Sequence, residues 1–495
     1  MTPKSTFKLF LSAVFLLSLV ATLLSSFSHK RVSSPRVFIE PAAPAASASA
    51  DDYYKIPDGA TYNGQQMVNK AGYLTLSTEL GHNYYLINDT TKNTGFLYAE
   101  VKADDYKPTD KVRAPLNIAI VLDRSGSMQG AKLANVKKAA DYLIDKLNDK
   151  DILSIVVFES GVGVLQKSAP VTDKKSLHEI VSTIVTGGGT NLGGGMVEGF
   201  NQVKSHYKSG YVNSVLLLSD GIANEGIHDV PTLQSMAKKW FTNESISIST
   251  FGVGTDYNEN LMTALAENGG GNYYYIKEPN MIPKVFEKEI SGLLTLVAKQ
   301  ATLTFKLPVA LSIQRVYGGN YEMDKNVMTV KLNDIFANET KGILIKFKIK
   351  SGTTGELPIY TQLAFEDATD KNTPKSAENI NVIKPITDLK MYMSNFSERV
   401  MQQCTMFESN DLLEQTMKAA DDRDYDKARK LGQSTQTYLW NNSSKFKSTP
   451  EMVRQDSVVV KYEKQLQGFE SLDEIQIMDV QKSSKLSNYE IRKKK

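Results

Sequence analysis

The stretch Asn117–Met128 constrains the fold more than any other part of the chain. An unbroken run of apolar residues, Ile118–Leu122, ends in the polar sequence Asp123-Arg-Ser125-Gly-Ser127. A run of this kind is typical of a strand that is buried on both faces of a parallel sheet. In open α/β sheets, ligands bind beside the carboxyl ends of such strands. Asp123, Ser125 and Ser127 are therefore candidate ligands, and their oxygen atoms suit Mg²⁺ or a similar hard cation.

On its own this pattern has a simpler explanation, because aspartate and serine are also favoured at the amino termini of helices. Two other stretches favour a binding site. Thr190 lies in a glycine-rich loop whose backbone can approach an ion closely, and Asp220 lies at the end of another buried strand, which begins at Ser214. A parallel sheet aligns the carboxyl ends of its strands on one edge, so we expect Asp123, Thr190 and Asp220 to lie close together.

The alternation of apolar residues predicts three kinds of structure along the chain. Strands and helices alternate over residues 115–297, which predicts an α/β domain with a doubly wound, mostly parallel sheet. Residues 61–114 and 298–386 show the period of two that is typical of β-strands. Because neither of these sets easily builds a core alone, the α/β domain is predicted to be inserted into one β-sandwich. Residues 387–466 are predicted to be helical, and residues 467–495 to form a mostly disordered basic tail.

The amino-terminal residues indicate export. Residues 1–28 combine two lysines, a long apolar run and small residues near its end, as in a signal peptide or an uncleaved membrane anchor. Residues 29–60 are rich in Pro, Ala and Ser and are predicted to be a flexible linker. The single cysteine, Cys404, excludes an intramolecular disulfide. An exported protein without disulfides indicates a bacterial envelope, in the periplasm, at the cell surface or anchored facing outside the cytoplasm.

Other features of the sequence limit the classes of function. The net charge of +3 gives no reason to expect nucleic acid as a partner. After residue 28, no apolar stretch approaches the roughly 20 residues that span a membrane, so membrane contact is expected only through the amino-terminal segment. The stretch Asp422–Asp426 opens like a calcium loop, but Lys427 and Gln433 replace the required glycine and glutamate. No pairing of a nucleophile with a base emerges, so an enzyme is not expected.

The five residues together resemble a known metal site. Their order on an α/β pattern is similar to that of the metal-ion-dependent adhesion site of von Willebrand factor A domains. The resemblance implies that the serines and the threonine ligate a divalent cation directly, and that the aspartates do so directly or through water. It further implies that a Glu or Asp of a protein partner completes the coordination shell. The candidate metal ligands are Asp123, Ser125, Ser127, Thr190 and Asp220.

The layout of the whole chain is similar to that of bacterial proteins labelled calcium-activated chloride channel homologues, although nothing in the sequence supports a channel. The sequence therefore predicts an exported protein that binds a protein partner through a divalent cation, with Mg²⁺ expected and Ca²⁺ or Mn²⁺ as alternatives. One alternative function is an assembly or chaperone component that docks an ATPase or a surface-polymer system. A metal-dependent hydrolase is a less favoured alternative.

Overall fold

The computed structural model describes residues 53–87, 93–108 and 113–493 of the chain. The predicted signal peptide or anchor, residues 1–28, and most of the predicted linker lie outside these residues. No helix within the described ranges combines the length and the apolar character that a membrane crossing requires.

Three blocks of secondary structure follow one another: strands, then an alternation of strands and helices with further strands after it, and finally helices alone. The strands are β1 Gln66–Ala71, β2 Leu74–Leu80, β3 Tyr84–Leu86, β4 Thr94–Ala103, β5 Leu116–Asp123, β6 Ile152–Phe158, β7 Val162–Pro170, β8 Val212–Ser219, β9 Ser247–Val253, β10 Gly270–Ile276, β11 Leu296–Lys306, β12 Leu311–Tyr317, β13 Tyr321–Asp324, β14 Val327–Phe336, β15 Thr340–Ile349, β16 Leu357–Asp367 and β17 Thr373–Ile386. The helices are α1 Ala131–Lys146, α2 Lys174–Ser182, α3 Leu192–Ser205, α4 Val230–Glu244, α5 Glu259–Asn268, α6 Ile282–Leu293, α7 Leu389–Met393, α8 Glu398–Asp421, α9 Tyr425–Ser443, α10 Pro450–Leu466 and α11 Glu474–Arg492.

The α/β domain is built on a sheet with the strand order β10-β9-β8-β5-β6-β7, in which all neighbours are parallel except the edge strand β7. All eight residues of β5 are buried. Ile118 and Ile120 face a core shared with α1, α2 and α6, whereas Ala119 and Val121 face a core shared with α3, α4 and α5. Helices therefore cover both faces of the sheet, as predicted for a doubly wound domain.

Close contact between α3 and the sheet depends on glycine. A Cβ atom added to Gly199 would lie 2.4 Å from Cγ2 of Val121, which is much closer than side chains in contact can be. Gly199 therefore lets the helix pack directly against β5. Because α3 begins at Leu192, two residues after Thr190, this packing also fixes the position of Thr190 above the end of β5.

The strands on either side of the α/β domain form two sheets that share one core, as the insertion prediction requires. One sheet has the order β1-β2-β4-β15-β12 and the other β13-β14-β11-β16-β17-β3. Each sheet combines strands from before and after the domain; for example, β4 pairs antiparallel with β15, and β3 pairs parallel with β17. A single hydrophobic cluster contains side chains from both sheets. The fold class predicted from the sequence is therefore confirmed.

Both connections between the sandwich and the α/β domain lie at the amino-terminal edge of the parallel sheet. The chain enters the domain just before β5 and leaves it between α6 and β11. The buried side chain of Lys299, on β11, reaches across to this edge and donates hydrogen bonds to the carbonyl oxygens of Ser209 (2.6 Å) and Tyr211 (2.8 Å). The carboxyl-terminal edge, where Asp123 and Asp220 lie, is therefore the edge that points away from the sandwich.

The prediction of a mostly disordered tail over residues 467–495 is wrong, because α11 occupies most of this segment. The helix begins with a capping box formed by Asp473 and Gln476. It packs between α8 and the α/β domain: Asn488 donates to the carbonyl of Asn410, and Lys482 donates to the carbonyl of Tyr257 at 2.9 Å. Tertiary contacts of this kind stabilise a helix that has little apolar periodicity of its own.

The predicted linker 29–60 also ends earlier than expected. Tyr53 and Ile56 are buried against the helical region, and the amide of Tyr54 donates to Glu408 at 2.7 Å. A few aromatic and apolar residues are enough to order this part of the chain, since α8 and α9 offer them a buried surface.

Candidate metal site

Asp123 is the last residue of β5 and is fully buried. Its Oδ1 accepts a hydrogen bond from the amide of Ser125 at 2.8 Å, and its Oδ2 accepts one from the hydroxyl of Ser219 at 2.6 Å. Burial raises the pKa of the Asp123 carboxyl above its usual range, although the hydrogen bonds from Ser125 and Ser219 lower it in part. Because burial disfavours the ionised form of this carboxyl group, a positive charge bound beside it would stabilise that form.

Asp220 follows β8 directly and brings the second buried carboxylate to the same edge. The hydroxyl of Ser127 donates to Asp220 Oδ1 at 2.7 Å, and the ammonium group of Lys132 donates to Oδ2. Ser127 Oγ also lies 3.1 Å from Ser125 Oγ. Hydrogen bonds thus connect the loop after β5 with the end of β8, as the alignment of strand ends predicted.

Thr190 is placed by a loop that is bonded to its neighbours through the backbone. The amide of Gly187 donates to the carbonyl of Arg124 at 2.7 Å, and the amide of Thr190 donates to Asn224 Oδ1 at 2.8 Å. A Cβ atom added to Gly221 would lie 3.0 Å from Thr190 Oγ1 and 3.7 Å from Ser127 Oγ. Both hydroxyl groups therefore border the same point, and the structure brings all five predicted side chains to one edge of the sheet.

The composition of this site fits a hard divalent cation. Two carboxylates and three hydroxyl groups are oxygen donors of the type that Mg²⁺ and Ca²⁺ prefer, and the set contains no nitrogen or sulfur atom. Across the described ranges, no group of three or more His, Cys, Asp or Glu side chains could hold a metal ion. The calcium-loop interpretation of residues 422–426 fails in the structure as well, because Asp424 caps α9 by accepting from the amide of Lys427.

Sequence reasoning missed three side chains that support the site. Ser219 bonds to Asp123, Asn224 bonds to the amide of Thr190, and Lys132 bonds to Asp220. Ser219 could have been recognised, since it directly precedes Asp220 at the end of the apolar run of residues 215–218. Lys132 and Asn224 are separated from their partners by long stretches of chain, and nothing in their spacing points to these contacts.

Comparison with known proteins identifies the middle of the chain. The family profile described as von Willebrand factor type A domain matches residues 117–288. The protein YfbK of Escherichia coli (strain K12) is 31% identical over 205 residues, which are 41% of this chain and 35% of that protein. An uncharacterized protein of Synechocystis sp. is 26% identical over 312 residues, which are 59% of this chain and 72% of that protein. This chain therefore spans only about a third of the length of the first relative.

These matches confirm the predicted resemblance to von Willebrand factor A domains. It extends to calcium-activated chloride channel regulator 1 of Bos taurus, which is 23% identical over 257 residues, covering 49% of this chain and 27% of that protein. A solved structure, von Willebrand factor type A from Catenulispora acidiphila, has a TM-score of 0.64 at 16% identity and covers 79% of this chain and 92% of that chain. At this identity the likeness concerns the fold alone, and its coverage shows that the shared fold extends beyond residues 117–288.

Proposed function

Residues 117–288 are a von Willebrand factor type A domain, and from this premise we propose that the protein binds a protein partner through a divalent cation, with Mg²⁺ expected. The domain type is one that generally mediates protein interactions. Asp123, Asp220 and the three hydroxyl groups would hold the cation. When bound, the cation would supply the positive charge and the free coordination position that an Asp or Glu side chain of the partner requires.

The observation that carries this proposal is the convergence of two buried carboxylates and three hydroxyl groups at one exposed edge. Asp123 and Asp220 are fully buried, whereas Ser127 and Gly126 between them are exposed. A buried carboxylate is costly unless positive charge compensates it. Lys132 supplies such a charge to Asp220, and a bound cation would supply one to Asp123. The exposed hydroxyl loop makes the same place reachable from outside, at the edge of the domain that points away from the sandwich.

The rim of the site adds a feature that a partner could recognise. Ile222, two residues after Asp220, is 59% exposed, and Val185, whose carbonyl accepts a hydrogen bond from Arg124, is 62% exposed. These two exposed apolar side chains lie near the place where a partner's carboxylate would bind. They favour a partner in which the acidic residue has apolar neighbours. We therefore expect the partner segment to carry Asp or Glu next to residues such as Leu, Val or Ile.

Calorimetric titration of Mg²⁺, Ca²⁺ and Mn²⁺ into the chelator-treated protein tests the metal site. We expect saturable binding at one site in the wild type and none in Asp123→Ala. The matched control is Asp149→Ala, which removes an exposed carboxylate at the opposite edge of the same sheet. Circular dichroism should show that both variants keep the fold, because loops at strand ends carry binding residues on a rigid scaffold. Binding that survives in Asp123→Ala would place the metal elsewhere and overturn the proposal.

We also propose that the protein is exported and works outside the cytoplasm, in the periplasm or at the cell surface. Residues 1–28 support this proposal through their signal-like composition. Fractionation of the source cells and sequencing of the amino terminus of the recovered protein test it. A protein found in the cytoplasm with residue 1 intact would contradict export.

Two other functions give different results in simple assays. A component that docks an ATPase or a surface-polymer system would copurify with that system in a metal-dependent way, and Asp123→Ala would abolish the copurification. A metal-dependent hydrolase would turn over generic ester or phosphate substrates in the presence of Mg²⁺. We propose no catalytic activity, and turnover that is lost in Asp123→Ala would overturn this part of the proposal.

A further inference from the structure

Lys132 places a positive charge directly on one of the proposed metal ligands. It lies in the first turn of α1, and its side chain is 23% exposed. Its ammonium group donates to Asp220 Oδ2, while the hydroxyl of Ser127 donates to Oδ1 of the same carboxylate. Asp220 is fully buried, so water screens the attraction between the two charges less than it does in an exposed pair.

The surroundings of Lys132 keep the ammonium group near the site. The loop after β9 passes close by: a Cβ atom added to Gly254 would lie 3.8 Å from Lys132 Nζ and 3.9 Å from Cε. Gly254 has a φ of +73°, which favours glycine, and the missing side chain leaves space for the lysine. The lysine is thus enclosed between Asp220 and this loop, which limits its freedom to turn away into solvent.

The positive charge of Lys132 changes the net charge of the site. The two aspartates give the five ligands a formal charge of −2, and Lys132 reduces the total to −1. A bound divalent cation would bring the total to +1, whereas the same ligands without Lys132 would become neutral. A site with a net positive charge attracts an anion, and a lysine beside the ligands repels the cation.

We propose, on the basis of the function proposed above, that Lys132 sets this charge balance, so that the site holds its cation less tightly and captures an acidic partner group more strongly. Lys132 is then a positioning residue, which acts through Asp220 and adjusts the affinities for the cation and for the partner. A purely structural role, in which Lys132 only keeps Asp220 in place, makes a different prediction. Loss of the lysine would then weaken cation binding and partner capture together.

The test uses two titrations on the same variants of the purified protein. The first measures the dissociation constant for Mg²⁺. The second measures, at saturating Mg²⁺, the dissociation constant for the peptide acetyl-Gly-Leu-Glu-Leu-Gly-amide, with the Gln-containing peptide as the uncharged probe. The variants are Lys132→Met, Lys132→Arg and Lys138→Met. Lys138 is exposed on the same helix, so its variant makes the same change in net charge away from the site.

We expect the two dissociation constants of Lys132→Met to move in opposite directions. Mg²⁺ should bind about tenfold more tightly, and the Glu peptide about tenfold more weakly. A change of this size is expected when one charge is removed a few ångströms from the bound ion and water screens the interaction only in part. Lys132→Arg keeps the charge and should stay within about threefold of the wild type, and Lys138→Met within about twofold. Melting curves of each variant confirm that the fold is retained.

The possible failures can be told apart. If Lys132→Met weakens both Mg²⁺ and peptide binding, or changes neither, the charge role of Lys132 is overturned while the metal-dependent capture stands. If the wild type binds no Mg²⁺, or binds the Glu peptide no better than the Gln peptide at saturating Mg²⁺, the proposed function itself is overturned.

Discussion

The packing of α11 on the α/β domain can be measured through one side chain, Tyr489. Its ring is 3% exposed and belongs to the core formed by α3, α4 and α5 on one face of the sheet. Its hydroxyl oxygen accepts a hydrogen bond from the amide of Tyr273 at 3.2 Å. The two rings meet edge-on, with their centroids 5.8 Å apart. Tyr489 therefore contributes apolar burial, a ring contact and a hydrogen bond to the same interface.

Two substitutions separate these contributions. Tyr489→Ala removes the ring, leaves a cavity and deprives the amide of Tyr273 of its acceptor, so it should lower the free energy of unfolding by about 3–5 kcal/mol, the cost of similar aromatic truncations. Tyr489→Phe keeps the ring and loses only the acceptor, which should cost about 1–2 kcal/mol. Ile475→Ala, at a position on the same helix that is 66% exposed, should change stability by less than about 0.5 kcal/mol.

Urea denaturation measures these differences, and hydrogen exchange of the amides in residues 474–492 locates them. We expect faster exchange throughout α11 in Tyr489→Ala, because the helix loses the surface that stabilises it. A loss of less than about 1 kcal/mol in Tyr489→Ala, or exchange in α11 that is already fast in the wild type, would refute the packing of this helix. The sequence-based expectation of a disordered tail would then be correct.

Three further predictions concern the charges of the α/β domain and the sandwich. Asp151→Ala should lower the free energy of unfolding by about 3–5 kcal/mol in urea, because Arg113, whose side chain is only 3% exposed, loses its carboxylate partner; Mg²⁺ affinity should not change, since the pair lies at the opposite edge from the metal site. Burial lowers the pKa of His82 to about 4 from 6.5, so the unfolded chain takes up the proton first and stability should fall by about 3 kcal/mol between pH 6.5 and 4. His82→Asn should remove this part of the pH dependence in urea titrations, and equal slopes in the two proteins would contradict it. Mg²⁺ at 100 times its dissociation constant should stabilise the wild type by about 2.7 kcal/mol in thermal unfolding, and Asp123→Ala not at all.

The parts of the fold that could be predicted from the sequence are those in which buried positions carry apolar residues. Every residue of β5 and β8 is buried, so their apolar runs identified them as central strands of a parallel sheet. The candidate site followed from the same fact, since parallel strands end on one edge whatever their separation in the chain. The sequence alone was therefore enough to predict that Asp123 and Asp220 lie close together.

The parts that could not be predicted bury polar residues. The buried face of α11 includes Gln481, Lys482, Ser484 and Asn488, so no apolar stripe marked it as a packed helix. In β17, which lies within the predicted strand region 298–386, Asn379 and Asn381 are buried, so the sequence did not indicate which face of this strand packs in the sandwich. Polar side chains at such positions depend on hydrogen bonds to distant parts of the chain, and the spacing of residues along the sequence does not indicate these partners.

The insertion and α11 together determine how the metal site can meet a partner. The sandwich joins the domain at the amino-terminal edge of β5, and eight residues of strand, about 25 Å, separate that edge from the site. Two connections at one edge would allow the domain to swing as a rigid body. The contacts of α11, with Tyr489 in the domain core and Lys482 on the carbonyl of Tyr257, oppose this swing. Weakening α11 should therefore leave the affinity for Mg²⁺ unchanged, because the hydrogen-bond partners of the Asp123, Ser127 and Asp220 side chains within the described residues lie outside this helix. It should change instead the directions from which a large partner can approach the site.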